Sequence, residues 1–292
     1  MRVRAFAKIN LSLRVLGARA GGYHELRTIF QSIALHDTLT IRARRGPFRL
    51  TCDDPNCPSD CTNLIWRAAE RLWKAAGRRG APRDIAVDLE KRIPLEAGLG
   101  GGSSDAAATL RVLSRLWRVD AGEVRAAAAA LGADVPYFFE GGTVLGLERG
   151  DLLFPLMDYP AAWVVIVLPG FGVSTKEAFG WWDSDNKASR AGRAGRAGRA
   201  GGLREVRSQS DLVNDLEAPV AARHPDIRRI VRALLKAGAT HAAMSGSGSA
   251  VFGLFTRRSD AAGAAAALAS RARRAVMTRT VNRSKYQALA AA

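Results

Sequence analysis

The residues with the most chemistry in their spacing form one run: Pro94-Leu95-Glu96-Ala97-Gly98-Leu99-Gly100-Gly101-Gly102-Ser103-Ser104-Asp105-Ala106. Glycines lack a Cβ, so a run this dense can aim several backbone N–H groups at one point and let a ligand approach closely. The run opens an alanine-rich helical pattern through Leu110, Leu113 and Trp117, and Ser103 or Ser104 is expected to cap that helix, whose N-terminus favours an anion. The chemistry implied is phosphate binding. It is not a Walker loop, because Ser103 stands where that loop requires lysine, and the glycine spacing is not that of a dinucleotide fingerprint. The plain alternative is a flexible turn between strand and helix.

Other residues suit phosphate or base chemistry once they share a site. Lys8 and Asn10 fall on the polar face of an alternating strand (Val3, Ala5, Ala7, Ile9, Leu11, Leu13, Val15); taken alone that pattern favours a solvated face over a cleft. Tyr23 offers a stacking face and His24 a neutral donor and acceptor, a pair that either packs or reads a heterocycle. Asp134 lies in Gly132-Ala133-Asp134-Val135-Pro136, a short stiff link in which it is a turn carboxylate or a catalytic one. Ser245-Gly246-Ser247-Gly248-Ser249 is a second small-residue loop able to approach another backbone.

The elements that would position these groups follow from periodicity. Strands are expected over 3–16 and through Ile29, Ile33, Leu35, Leu39 and Ile41 as a hairpin-like pair, over 85–89 and 142–147, and, fully apolar, over 163–168. Helices are expected over 63–76 with Thr62 as cap, 121–131 ending at Gly132 with Pro136 preventing resumption, from Ser174 through Phe179, and over 218–236 and 260–273, with strands at 251–255 and 275–281. The pattern resets near Met157-Asp158-Tyr159-Pro160, so we divide the chain into 1–158 and 159–292. Residues 188–202, built on a repeated Arg-Ala-Gly unit, read as a disordered insertion.

Length and 48% hydrophobic content indicate a well-cored globular chain of about two domains. The N-terminus lacks a signal-peptide core and no apolar run reaches the roughly 18 residues that cross a bilayer, so a cytoplasmic protein without membrane partners is expected. Cys52, Cys57 and Cys61 lack the paired spacing of a structural zinc site and read as reduced bystanders. The net charge of +17 suits anionic ligands or nucleic acid, but part of it lies in the arginine tract and at the C-terminus, so it chooses neither.

Six motifs in collinear order across residues 5–255 carry a resemblance: Ala7-Lys8-Ile9-Asn10-Leu11, Gly22-Tyr23-His24-Glu25-Leu26, the Gly98 to Ala107 loop, Leu131-Gly132-Ala133-Asp134-Val135-Pro136, Asn214-Asp215-Leu216-Glu217 and Met244-Ser245-Gly246-Ser247-Gly248-Ser249. The chain resembles the GHMP small-molecule kinase superfamily and, by the second and fourth motifs, its branch acting on a cytidine diphosphate-linked methylerythritol in the non-mevalonate isoprenoid route. The resemblance implies an α+β, two-domain GHMP kinase fold, an N-terminal ribosomal-S5-domain-2-like domain followed by a C-terminal ferredoxin-like one, with the active site between them. It implies ATP and Mg²⁺ as cofactors and small-molecule partners, ATP and a cytidine diphosphate-linked polyol, with no nucleic acid and a monomer or homodimer. By it, Asp134 is the general base and Lys8 its partner, Asn10 and Thr175 contact substrate, Tyr23 and Phe179 sandwich the cytosine and His24 reads its edge. Pro94, Gly98, Leu99, Gly100, Gly101, Gly102, Ser103 and Ser104 hold the ATP phosphates, Asn63 and Lys91 border the adenine, Gly246, Ser247 and Gly248 close the far side, and Ser103 or Ser104 is the candidate Mg²⁺ ligand. Two departures stand out: Glu96, expected to point outward at the loop mouth, and the arginine tract over 190–201. Tyr23-His24 argues against a homoserine, mevalonate or sugar kinase, since a cytidine-bearing substrate needs a base reader; a basic nucleic-acid-binding module is the remoter alternative.

Overall fold

The structure, a computed structural model, describes residues 1–18, 23–191 and 212–290. The connection between the two expected N-terminal strands, 19–22, and most of the arginine tract lie outside the described residues. The described start of that tract, 188–191, ends a helix instead of forming an insertion.

The N-terminal module is a six-stranded sheet. Strands β1 (Arg2–Ala18) and β2 (His24–Pro47) form the expected antiparallel pair, from Arg2 opposite Thr40 to Ala18 opposite His24. The other edge of β2 takes β5 (Thr143–Glu148) and then β4 (Arg83–Glu90), while β3 (Arg49–Cys52) joins β4 in parallel and β6 (Leu152–Pro155) pairs with β5. Helices α1 (Leu64–Ala75), α2 (Gly101–Trp117) and α3 (Ala121–Leu131) cover one face and share a core with Leu39, Ile41, Val87 and Leu89.

The C-terminal module is a four-stranded antiparallel sheet in the order β10 (Arg273–Arg279), β7 (Trp163–Pro169), β9 (Val251–Phe255), β8 (His241–Met244). With α6 (Glu217–Arg223) and α7 (Asp226–Lys236) before β8, and α8 (Arg258–Leu268) before β10, this is the expected ferredoxin-like arrangement. Helix α5 (Thr175–Ala191) opens with a capping box, in which Glu177 N–H donates to Ser174 Oγ and Ser174 N–H to Glu177 Oε2.

Several local expectations are corrected. The helix expected over 218–236 breaks at His224-Pro225, where proline cannot continue the ladder. The helix expected to reach Arg273 stops at Leu268, and Arg273 begins β10. Asn63 caps α1, accepting from Ile65 N–H at 2.9 Å, while the Thr62 hydroxyl donates to Asp60. Pro136 does not bar resumption: it sits at the N-cap of α4 (Tyr137–Glu140), where its fixed φ suits a helix start. The helix after the glycine run starts at Gly101 with Gly100 as N-cap, so neither Ser103 nor Ser104 is a cap.

Strand β1 was expected to be half solvated and is buried on both sides. Ala7, Ile9 and Leu11 pack against Val164, Ile166, Phe252 and Leu254 of the second sheet, in a cluster shared by the two modules. Lys8 and Asn10, on the opposite face, are only 3% and 2% exposed. Our proposed division at 158/159 is crossed once more at the chain's end: Gln31 Nε2 donates to Val281 O, and α9 (Arg283–Ala290) lies on the first module, where the Tyr286 ring meets Phe6 and its hydroxyl donates to Phe138 O at 2.7 Å. A Cβ on Gly141 would fall 2.0 Å from that ring.

Tyr286→Ala is therefore expected to lower stability by about 3–5 kcal/mol through the cavity it leaves, and Tyr286→Phe by only about 0.5–1.5 kcal/mol, the net value of one hydrogen bond, because Phe138 O keeps the bond from Arg111 at 2.9 Å. Urea unfolding midpoints of the two variants check the pair.

Candidate active site

The glycine run crosses from β4 to α2 against three other segments. Gly98 and Gly100 both have φ of +72°, a conformation that L side chains rarely adopt. A Cβ on Gly98 would lie 2.1 Å from Ser245 O, and one on Gly100 would lie 2.8 Å from Phe138 and 3.2 Å from Lys8 Cε. Packing as well as backbone conformation excludes side chains here. Because α2 starts at Gly101 without a side-chain cap, its first-turn N–H groups have no helical acceptor, which suits an anion.

Beneath the run lies a buried charge cluster. Lys91 Nζ donates to Asp37 Oδ2 at 2.5 Å and to Asp105 Oδ2 at 3.0 Å, and Asp37 Oδ1 accepts from Arg92 and Ile93 N–H groups. A Cβ on Gly101 would be 3.2 Å from Lys91 Nζ, so the cluster braces the loop from below. Burial works against the Lys91 charge, but Asp105 and Asp37 outweigh it and hold its pKa above the ordinary value. Burial and the nearby Asp37 push Asp105 up to about 7 against the pull of Lys91. Asp105 Oδ1 has no hydrogen-bond partner, a consequence of two carboxylates sharing one ammonium.

Lys8 sits where the modules meet. Its Nζ donates to Asn10 Oδ1 at 2.7 Å and Gly98 O at 3.0 Å, and lies 3.5 Å from Asp134 Oδ2. Asn10 Nδ2 donates to Thr28 Oγ1, whose hydroxyl donates to Ser12 O, so the Lys8–Asn10 pair is oriented by a chain of fully engaged groups. Asp134 hangs from the turn between α3 and α4 and is half exposed to the cleft.

The second loop is tied to the first. Ser245 Oγ donates to Gly98 O, and Ala250 N–H to Ala97 O. Asn214 Nδ2 donates to Met244 O and Gly246 O, Asp215 accepts from Arg14 and from Val15 N–H, and Glu217 accepts from Met244 N–H. The Asn214-Asp215-Leu216-Glu217 motif thus docks that loop onto β1. Thr175 and Ser247 hydroxyls are 3.1 Å apart across the same edge.

Farther along, the His24 ring stacks on Phe179 with centroids 4.6 Å apart. Tyr23, 57% exposed, has the Arg149 guanidinium 5.3 Å from its ring centroid. The expected aromatic arrangement differs in one respect: Phe179 lies on His24 itself.

The glycine run, Lys8, Asn10, Asp134, the Gly246 to Gly248 turn and the Tyr23, His24 and Phe179 rings line one cleft of about 1580 Å³, larger than the roughly 300–1,000 Å³ that a single small ligand usually occupies. Of the residues named from sequence, Asn63 and Ser104 do not line it. Asn63 is engaged as the α1 cap, and Ser104 is buried under the loop with Asp105. Lys91 reaches the cleft, but its ammonium is taken up by the two aspartates. Glu96 is exposed yet aims its carboxylate across the mouth, 3.6 Å from where a Cβ on Gly172 would be. Asp37, Thr28, Arg149 and Asp183 were not singled out from sequence as site residues; each is a lone polar residue without a local pattern. Among the described residues, no group of three His, Cys, Asp or Glu side chains gathers as a metal site, and burial and the adjacent Cys52 push the Cys57 thiol up to about 12.

A two-module α+β chain with glycine-lined loops from both modules meeting over a lysine–aspartate pair is a small-molecule kinase of the GHMP class. Residues 63–142 match the family described as GHMP kinases N terminal domain, and residues 187–274 match GHMP kinases C terminal. The 4-diphosphocytidyl-2-C-methyl-D-erythritol kinase of Moorella thermoacetica is 42% identical over 86% of this chain and 88% of its own, and that of Anaeromyxobacter dehalogenans is 42% identical over 95% and 90%. A crystal structure of 4-(cytidine 5'-diphospho)-2C-methyl-D-erythritol kinase superposes with a TM-score of 0.76 at 34% identity, covering 96% of this chain and 99% of the other. The chain belongs to the 4-diphosphocytidyl-2-C-methyl-D-erythritol kinase family. A mevalonate kinase structure, at 14% identity and a TM-score of 0.66, shares the fold.

Two outcomes test the loop geometry. Gly98→Ala forces a Cβ onto Ser245 O and is expected to weaken binding of a non-hydrolysable ATP analogue about tenfold or more, read by calorimetric titration. Asp105 keeps its proton in the folded chain up to about pH 7, whereas the unfolded chain releases it near pH 4. The contribution of Asp105 to folding stability should fall as pH rises between those values and level off above. Asp105→Asn should remove this slope, as urea midpoints at about pH 5 and about pH 8 would show.

Proposed function

We propose that this cleft transfers the γ-phosphoryl group of ATP to the 2-hydroxyl of 4-diphosphocytidyl-2-C-methyl-D-erythritol, giving the 2-phosphate and ADP, in the non-mevalonate route to isoprenoids. The observation that supports it most is the Lys8–Asp134 pair, 3.5 Å apart, in the same cleft as the glycine loop and the His24–Phe179 stack. Phosphoryl transfer passes through a loose transition state, so positioning and charge stabilisation dominate over covalent help.

In this reading the Gly98 to Ser103 backbone holds the triphosphate. Lys8, fixed by Asn10 and by Gly98 O, supplies the cation a Walker lysine would supply, facing charge that develops on the transferred group. Asp134 accepts the proton of the attacking hydroxyl. Asn10 and Thr175 position the acceptor, and Tyr23, His24 and Phe179 bind its cytosine, whose binding energy orients a hydroxyl far from the base. Lys91 contributes from beneath by bracing the loop.

Mg²⁺ suits this donor set when held chiefly by the phosphates with a neutral protein oxygen. Of the two candidates, Ser103 lines the cleft whereas Ser104, like the adjacent Asp105, is buried, so Ser103 is the residue that would hold it. The bound ion would neutralise triphosphate charge. Among the described residues, no helix is long and apolar enough to cross a membrane; the reading is of a cytoplasmic monomer or homodimer without nucleic-acid partners.

Purified protein with Mg²⁺-ATP is expected to release ADP with the cytidine-linked substrate and not with homoserine or mevalonate; the reverse selectivity would overturn the assignment. Asp134→Ala and Lys8→Ala are each expected to lower kcat by about 10²–10⁴-fold with folding intact. Near-normal turnover in the first would remove Asp134 as the base.

A further inference from the structure

One face of α5 surrounds His24. Phe179 stacks on the imidazole at 4.6 Å and 21°, Trp182 meets it edge-on at 5.6 Å and 88°, and Asp183 Oδ1 lies 2.9 Å from His24 Nε2. Positions 179, 182 and 183 are the i, i+3 and i+4 neighbours of one helix face, so a single helix of the second module fixes a ring carried by the first. The two aromatic contacts set the plane of the ring. They leave open which nitrogen carries the proton.

We propose that Asp183 is a positioning residue that holds His24 in the tautomer protonated on Nε2, so that Nδ1 presents an acceptor to the pyrimidine and selects cytosine over uracil. The inference rests on the functional reading above. A carboxylate only accepts, so the contact at 2.9 Å requires Nε2 to donate. A neutral ring with its proton there keeps its lone pair on Nδ1. Cytosine and uracil differ at the position-4 substituent, an amino donor in the first and a carbonyl acceptor in the second. An acceptor on the protein pairs with the amino group and leaves the carbonyl facing another lone pair. Asp183 itself touches no reacting group; it acts through the ring.

Asp183→Asn tests this, because an amide donates as well as accepts and admits the opposite tautomer, while a half-exposed helix position leaves folding intact. The wild-type enzyme is expected to prefer the cytidine diphosphate-linked substrate over its uridine diphosphate-linked analogue by roughly 10- to 100-fold in kcat/KM. In Asp183→Asn that ratio should collapse toward unity through a raised KM for the cytidine substrate, with kcat and the KM for ATP changed by less than about twofold. Long-range ¹H–¹⁵N correlation spectra of histidine-labelled protein, assigned with His24→Gln, should show a proton on Nε2 and a bare Nδ1 in the wild type, and a mixture in Asp183→Asn. A wild-type ring protonated on Nδ1 or on both nitrogens, or an unchanged cytidine-to-uridine ratio in the variant, would overturn the inference. If the wild type phosphorylates neither compound, the functional reading has failed, and the spectra still decide the tautomer.

Discussion

One backbone carbonyl joins the parts of this molecule that do chemistry. Gly98 O accepts from Lys8 Nζ, on the first strand, and from Ser245 Oγ, in a loop of the other module, each at 3.0 Å. The glycine loop, the buried cation and the second loop therefore share one point, and moving any of them breaks a buried hydrogen bond. This explains why residue 98 is glycine: the left-handed conformation turns its carbonyl inward, and the space for a Cβ is already filled by the Ser245 backbone. Lys8 in turn has one anionic partner, the half-exposed Asp134. Asp134 stands at 3.5 Å and its other contacts are neutral oxygens, which suits a group that must meet negative charge arriving with a ligand.

The buried cluster at Lys91 shows the opposite solution. There an ammonium is held between two carboxyl groups with almost no exposure, and burial beside Asp37 makes Asp105, whose Oδ1 has no partner, the one that holds on to its proton. The two lysines thus divide the work. One, saturated, anchors the N-terminus of α2 to the end of β4; the other, undersaturated, faces the cleft.

How much of this was legible in the sequence follows from range. The glycine loop and its phosphate chemistry were visible because composition and order lie within a dozen residues. The strand pair and the strand at Val164–Val167 were visible because periodicity is local, whereas the ferredoxin-like order came only from the family likeness and β8 was missed. Lys8 and Asn10 were misread on pattern alone: alternation records that one face is apolar, whereas the burial of the other face depends on Gly98, Asn214 and Asp134, far along the chain. The cap of α2 was misplaced because Gly100 takes a left-handed turn that starts the helix two residues before any serine. The Asn214-Asp215-Leu216-Glu217 motif was visible only as a family likeness, since its partners are the backbone of Leu13, Val15, Met244 and Gly246. The cluster of Asp37, Lys91 and Asp105 joins three separate segments, and nothing around any one of them announces the other two.

The return of α9 to the first module has a consequence for how the chain is made. A ribosome delivers residues 1–158 long before Val281 and Tyr286, yet the ring under Gly141 and one of the acceptors of Gln31 come from those later residues. The half that would hold the nucleotide therefore stays incomplete until α9 has been made, with Phe6 lacking its Tyr286 neighbour and the Phe138 carbonyl one of its two donors. Cutting the gene at the sheet-to-sheet boundary would separate the first module from its own last piece.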